Sequence, residues 1–275
     1  MASRALGKAL GRRWRPALDG RGPRASTLAV ALWVVGAGIA GQPELRAETL
    51  PAFDETDQVA AKKQRFFDFL GPVVRAENDR ISRQRTGLLD IASARAAGER
   101  LSWRQAWFLG GLAREYRLDG THLTSGDLIG KLLERVDVIP ASLVLAQAAK
   151  ESGWGSSRFA RRANNLFGQW CFEPGCGLVP RQRPAGMVHE VRSFATVRHS
   201  VVSYMRNLNT HPSYRRLRAL RAVLRERARP LSGMLLAEGL TRYSERGLAY
   251  VREVQVMIRQ NALETRELGT AVTGS

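Results

Sequence analysis

Apolar residues recur with a helical period along most of the chain, and one short stretch alternates as strands do. Residues 62–80 form an amphipathic stretch through Phe66, Phe67, Phe69, Leu70, Val73 and Val74, with a break or kink predicted at Gly71-Pro72. The same period continues over 80–97 through Ile81, Leu88, Leu89 and Ile91. Ser102 and Gln105 have capping-box spacing, ahead of an apolar stripe at Trp103, Trp107, Phe108, Leu112 and Tyr116. Another helix is predicted over 126–136. Beyond Val138 the pattern changes, because Leu143, Val144, Leu145, Ala146, Ala148 and Ala149 are apolar nearly all round, which predicts a helix inside the core. Pro140 suits its first turn, and Gly153 and Gly155 suit its end. After Cys176, the segments 177–180 and 188–191 flank the turn residues Pro184 and Gly186 as a β-hairpin, and helical periods resume over 197–209, 213–226, 232–241 and 247–263. The fold class expected is α+β, mostly α, with one small β-hairpin.

Charge narrows the partners. The 275-residue chain carries a net charge of +18 and a sequence pI near 11.2, which calls for an anionic counterpart: nucleic acid, membrane headgroups or an acidic wall polymer. Part of the excess lies in residues 1–25, and the uncharged apolar run 27–40 follows. At 14 residues that run is shorter than the roughly 20 needed to span a bilayer. A basic stretch, an apolar run and the small residues up to Ala40 and Ala47 make residues 1–47 an export signal, with an uncleaved N-terminal anchor as the alternative. Residues 48–61 then form a linker, and the working part is expected outside the cytoplasm, periplasmic or held at the inner membrane. In an oxidising compartment Cys171 and Cys176 are expected to close as a local disulfide across the Pro174-Gly175 turn. No histidine stands at a metal-type spacing from them, so neither a metal nor another cofactor is expected.

One residue brings chemistry into the buried helix. Glu151 stands at its carboxyl end beside Trp154. The negative end of the helix dipole, and lost hydration if Trp154 covers the carboxylate, both disfavour ionisation and suit a general acid working near neutrality. A solvated helix-end glutamate is the plainer alternative. The company of Asn164, Asn165, Leu166, Phe167, Gly168, Gln169 and Trp170, a polar-aromatic run too irregular for a helix face, tilts the balance toward a site.

The runs LVLAQAAKESGWGSSRFA and NNLFGQW resemble the glucosaminidase-type peptidoglycan hydrolases of glycoside hydrolase family 73, and more closely the bacterial Bax family within that group. The likeness continues through CFEPGCGLVP, HEVRSF, NLNTHPSYRRLR and GLTRYSERGLAYV, covering about residues 62–263. It implies a lysozyme-like helical domain over 138–263, preceded by a helical N-terminal region over 62–137 and followed by a tail over 264–275.

The resemblance further implies an exported endo-β-N-acetylglucosaminidase acting on peptidoglycan glycan strands, with Glu151 protonating the scissile oxygen. Tyr243 matches the family's site tyrosine, although Ser244-Glu245-Arg246 replaces the Ala-Thr-Asp of the wider family. Tyr250 matches the motif's second tyrosine, with a core aromatic as its plainer role. Glu190 is the candidate base on the second hairpin strand, Glu173 the substitute, and attack by the substrate's own acetamido group the alternative to both. Asn165, Phe167, Gln169 and Trp170 are expected in the sugar groove, with Trp154 either a subsite wall or a core neighbour. An N-acetylmuramidase or lytic transglycosylase of the same fold, and a non-catalytic wall-binding protein, are the competing functions. Contact with an anionic wall or membrane surface fits the charge, and no nucleic acid is expected.

Overall fold

The structure, a computed structural model, describes residues 50–51, 58–119, 124–184 and 186–265. The expected export segment 1–47 lies outside the described residues, as do most of the linker 48–61 and of the tail 264–275.

The chain opens with α1 (Val59–Ala96), followed by α2 (Trp103–Glu115), α3 (Ser125–Arg135), α4 (Ala141–Ser152) and α5 (Arg158–Ala163). Three short strands come next, β1 (Trp170–Cys171), β2 (Gly177–Leu178) and β3 (Glu190–Arg192). The remaining helices are α6 (Val197–Thr210), α7 (Arg215–Glu226), α8 (Gly233–Leu236) and α9 (Leu248–Gln260), with single 3-10 turns at Pro212–Tyr214 and Ala237–Leu240. This is the mostly α, α+β architecture that the periodicity predicts.

Helix α4 is the centre of the molecule. Its residues from Ala141 to Ala149 are all buried, and α1, α8 and α9 pack around it. The helix begins one residue later than expected, because Pro140 has an extended ψ of 132° and acts as the N-cap, its carbonyl accepting from Leu143 and Val144. The preceding turn is pinned by Arg221, whose buried guanidinium donates to the carbonyls of Glu134, Asp137 and Val138. Asp137, held ionised beside Arg221, Arg225 and Arg85, balances that charge. Thus α7 fixes where α4 starts, and so where its far end lies.

Two expectations about the N-terminal helices change. First, α1 runs unbroken through Pro72: the loss of one N–H donor is outweighed by burial of Leu70, Val73 and Val74 on either side. Second, the capping box of Ser102 and Gln105 forms, but the stripe behind it is shifted. Leu109, Leu112 and Tyr116 face inward, whereas Trp103 and Trp107 are 75% and 73% exposed. The apolar residues of α1, α2 and α3 join the same core as those of α4 to α9.

The strands make one antiparallel sheet in the order β1-β3-β2. The predicted hairpin is its β2–β3 half, with Gly177 opposite Arg192 and Leu178 opposite Val191. The added strand β1 pairs Trp170 with Val191 and Cys171 with Glu190. Gly177 is required at its position, since a Cβ there would fall 2.0 Å from the Val191 carbonyl oxygen. Cys171 and Cys176 form a disulfide that closes the loop between β1 and β2.

Candidate active site

Helix α4 ends at Gly153, which takes a left-handed conformation (φ 57°, ψ 49°) and leaves Glu151 in the last turn. The Glu151 side chain opens into a cleft of about 670 Å³, walled by Phe167 to Trp170 on one side and by Tyr243, Ser244, Arg246 and Tyr250 on the other. Among the described residues that line it, Glu151 is the one carboxylate.

The Glu151 carboxyl is held by a relay of buried polar groups. Tyr250 of α9 donates its hydroxyl hydrogen to Glu151 Oε1 at 2.7 Å. Gln147, one turn earlier on α4, donates from Nε2 to the Tyr250 oxygen at 2.9 Å, and its Oε1 accepts from the hydroxyl of Tyr204 on α6. Every donor and acceptor in this line is used in one sense, so the tyrosine is set to donate to Glu151 and not the reverse. Burial raises the Glu151 pKa above the ordinary carboxylate value, while the Tyr250 hydrogen bond and the neighbouring Lys150 pull against it. Burial and the adjacent carboxylate raise the Tyr250 pKa as well, so its proton stays in place. The result is a carboxyl with one oxygen occupied and the other left toward the cleft.

Aromatic rings shape the walls. Tyr243 stacks on Tyr250 at a centroid distance of 5.2 Å, and its hydroxyl donates to the Phe167 carbonyl at 2.9 Å. Phe167 in turn stacks on Tyr204 at 3.9 Å. Trp170 is 55% exposed and lies flat on His189, which leaves its other face to the cleft. At the rim, Lys150 and Arg246 both pair with Glu253.

Of the residues expected at the site, Glu151, Phe167, Gln169, Trp170, Tyr243 and Tyr250 line one cleft. Three others do not. Trp154 turns away: its own left-handed backbone (φ 58°) sends the ring to α1, where it meets Phe66 and Phe67 edge-on beneath Lys63. It is a core neighbour and no subsite wall. Asn165 is 1% exposed and hydrogen-bonds backbone only, donating to the carbonyls of Gln169 and Arg192 and accepting from the amides of Phe167 and Gln169. It shapes the loop instead of touching the cleft. Glu190 accepts from the amides of Gly175, within the disulfide loop, and Gly177, just after it, and these donors hold its carboxyl below the usual range. It faces that loop and does not line the cleft. Gln169 reaches the cleft, yet its amide is tied to Ser200 and Ser203 on α6.

Neither Gln147 nor Tyr204 is among the site residues expected from the sequence. The signal for Gln147 was present: it is the polar residue four positions before Glu151 in an otherwise apolar helix. Tyr204 carried no such signal, because an apolar stripe accounts for it equally well.

The chain is similar to known proteins. Residues 126–263 match the glucosaminidase family model, described as mannosyl-glycoprotein endo-beta-N-acetylglucosaminidase. The chain is also 32% identical over 216 residues to Protein bax of Escherichia coli (strain K12), covering 78% of this chain and 76% of that protein. No solved structure matches it. The matched span runs from α3 through α9 and so contains every wall of the Glu151 cleft; the chain belongs to the glucosaminidase family, as a Bax-like member.

Proposed function

We propose that this protein is an exported endo-β-N-acetylglucosaminidase that cuts peptidoglycan strands at the β-1,4 bond between N-acetylglucosamine and N-acetylmuramic acid, with Glu151 as the general acid. The observation that carries this reading is the Tyr250–Glu151 hydrogen bond in the cleft, combined with burial that raises the carboxyl's pKa. A carboxyl so placed is protonated further toward neutral pH than a surface glutamate. With Oε1 engaged by Tyr250, the proton is carried on Oε2 and passes to the glycosidic oxygen as that bond breaks.

The lack of a second carboxylate among the described cleft residues favours attack by the substrate. In this scheme the carbonyl oxygen of the 2-acetamido group bonds to the anomeric carbon as the leaving sugar departs with the Glu151 proton. Water then opens the cyclic intermediate, and the Glu151 carboxylate takes a proton from that water, restoring the acid. Trp170 offers a face for sugar stacking, and the Tyr243–Tyr250 pair forms the opposite wall. The apolar run 27–40 and the disulfide both accord with work outside the cytoplasm.

Digestion of purified peptidoglycan, followed by borohydride reduction and mass spectrometry, tests the bond. N-acetylglucosaminitol, absent when Glu151→Gln is used, is the expected product. Muramitol would assign a muramidase and anhydromuramic acid a lytic transglycosylase. Sugar products undiminished in the variant would remove Glu151 from the chemistry.

A further inference from the structure

Phe159 of α5 belongs to the walls of two hollows: the Glu151 cleft and a second one of about 760 Å³. The second is lined by Arg158, Arg161, Arg162 and Arg181, with Gln182 beside them, and no acidic residue among the described lining. Three of these arginines come from α5 and the fourth from the segment between β2 and β3. Arg158 is anchored, donating to the Val179 carbonyl at 2.9 Å and lying 4.7 Å over the Phe159 ring. Among the described residues no carboxylate pairs with Arg161, Arg162 or Arg181.

This differs from the other arginine-rich surface. On α7 the inward arginines Arg218, Arg221 and Arg225 are paired with Glu134 and Asp137. Around α5 the exposed arginines line one concavity without a paired carboxylate among the described residues, which focuses a positive field there. Guanidinium groups match carboxylates by paired hydrogen bonds. The shared wall at Phe159 sets the second hollow next to the place where the glycan would lie.

We propose that this arginine hollow binds the free carboxylates of the peptide stem carried by the glycan whose sugars occupy the Glu151 cleft. The assignment rests on the glucosaminidase reading for the identity of the glycan. The stem leaves the muramic acid side of the strand, so a stem seated beside α5 fixes which sugar stands next to Glu151. Stem recognition would then set the register of cutting.

The test measures binding by the full chain carrying Glu151→Gln, so that the glycan is not cut. Soluble strands with intact stems are compared with the same strands after amidase removal of the stems. Stem-bearing strands are expected to bind roughly tenfold tighter, the effect of about one well-made charge-assisted pair. Adding R161A, R162A and R181A should erase the difference, whereas R215A, R216A and R227A, a control of equal charge on α7 and at its C-cap, should leave it. Free stem tetrapeptide should compete at concentrations where inorganic phosphate does not. Equal binding of the two glycans by the parent overturns the proposal without any variant. So does a preference that survives the α5 triple change, one that the control removes equally, or competition by phosphate alone. These outcomes are separate from the identity of the bond cut, which only the reduced products of the unsubstituted chain report.

Discussion

The hydroxyl of Tyr250 and Oε1 of Glu151 lie 2.7 Å apart, and the tyrosine pulls the carboxyl's pKa down while burial pushes it up. Burial prevails, so the hydrogen bond trims an acid that would otherwise be weaker still. Tyr250→Phe removes the donor and keeps the ring that stacks on Tyr243. The Glu151 pKa should then climb further. The basic limb of kcat/KM, which reports loss of the acid's proton in the free enzyme, should move to higher pH. Release of Oε1 also frees the carboxyl to rotate, and kcat at the optimum should fall on the order of tenfold. A pH–rate profile on a soluble glycan checks both. An unmoved basic limb would detach Tyr250 from the acid.

Glu151 also affects stability, in the opposite sense to a salt-bridged carboxylate. Its pKa in the folded state is raised, so below the ordinary value of about 4.3 the group is protonated in both states and adds no penalty. As pH climbs from there through the folded pKa, the unfolded chain gives up its proton more readily, and the fold loses stability relative to it. Glu151→Gln has no such titration. Its thermal midpoint should exceed the parent's at pH 7, and the two should converge below about pH 4. Cleavage should drop roughly a hundredfold or more, the usual worth of a general acid. Thermal melts across pH, beside the digest, test the pair of effects; a variant less stable than the parent at pH 7 would argue against a strained carboxyl.

The position of Glu151 was legible in the sequence, because an all-round apolar helix closed by glycine needs no tertiary information to place that residue at its end. The place of Trp154 stayed open in the sequence for a local reason: after Gly153 the backbone stays left-handed, and helical spacing no longer says where a side chain points. The relay was out of reach for a topological one. Tyr250 lies 99 positions from Glu151, on a helix whose apolar stripe explains an aromatic without its hydroxyl. Asn165 shows the limit of residue type as evidence. An amide near aromatics suits a sugar, but it suits a tight loop equally, and only the burial of its four hydrogen-bonding contacts decides.

Glu190 should prove dispensable for chemistry. Its oxygens are taken by the amides of Gly175 and Gly177 at 3.0 and 2.8 Å, which stabilise the charged form and lower its pKa. A depressed folded pKa contributes stability above the unfolded value and loses it as pH falls through the folded one. Glu190→Gln should therefore melt lower than the parent at pH 7, with the gap narrowing below about pH 4. Its cleavage rate at a permissive temperature should stay within about threefold of the parent's, whereas a catalytic base would cost roughly a hundredfold or more. Single-turnover rates on purified glycan separate the two, and a drop of the larger size would restore Glu190 as the base.

Asn165→Ala distinguishes a loop builder from a sugar ligand. The side chain bridges Gln169 and Arg192 and accepts from the Phe167 amide, so it ties the cleft wall to the strand β3. Truncation strands several buried backbone groups at once and should cost about 3 kcal/mol, allowing for partial rescue by water. Because Phe167 also presents the carbonyl that holds Tyr243, the loss should propagate to the opposite wall. Chemical denaturation should show the drop in stability, and kcat should fall with it even at saturating glycan. Removal of a simple sugar contact would instead raise KM and leave both the denaturation midpoint and kcat near the parent values.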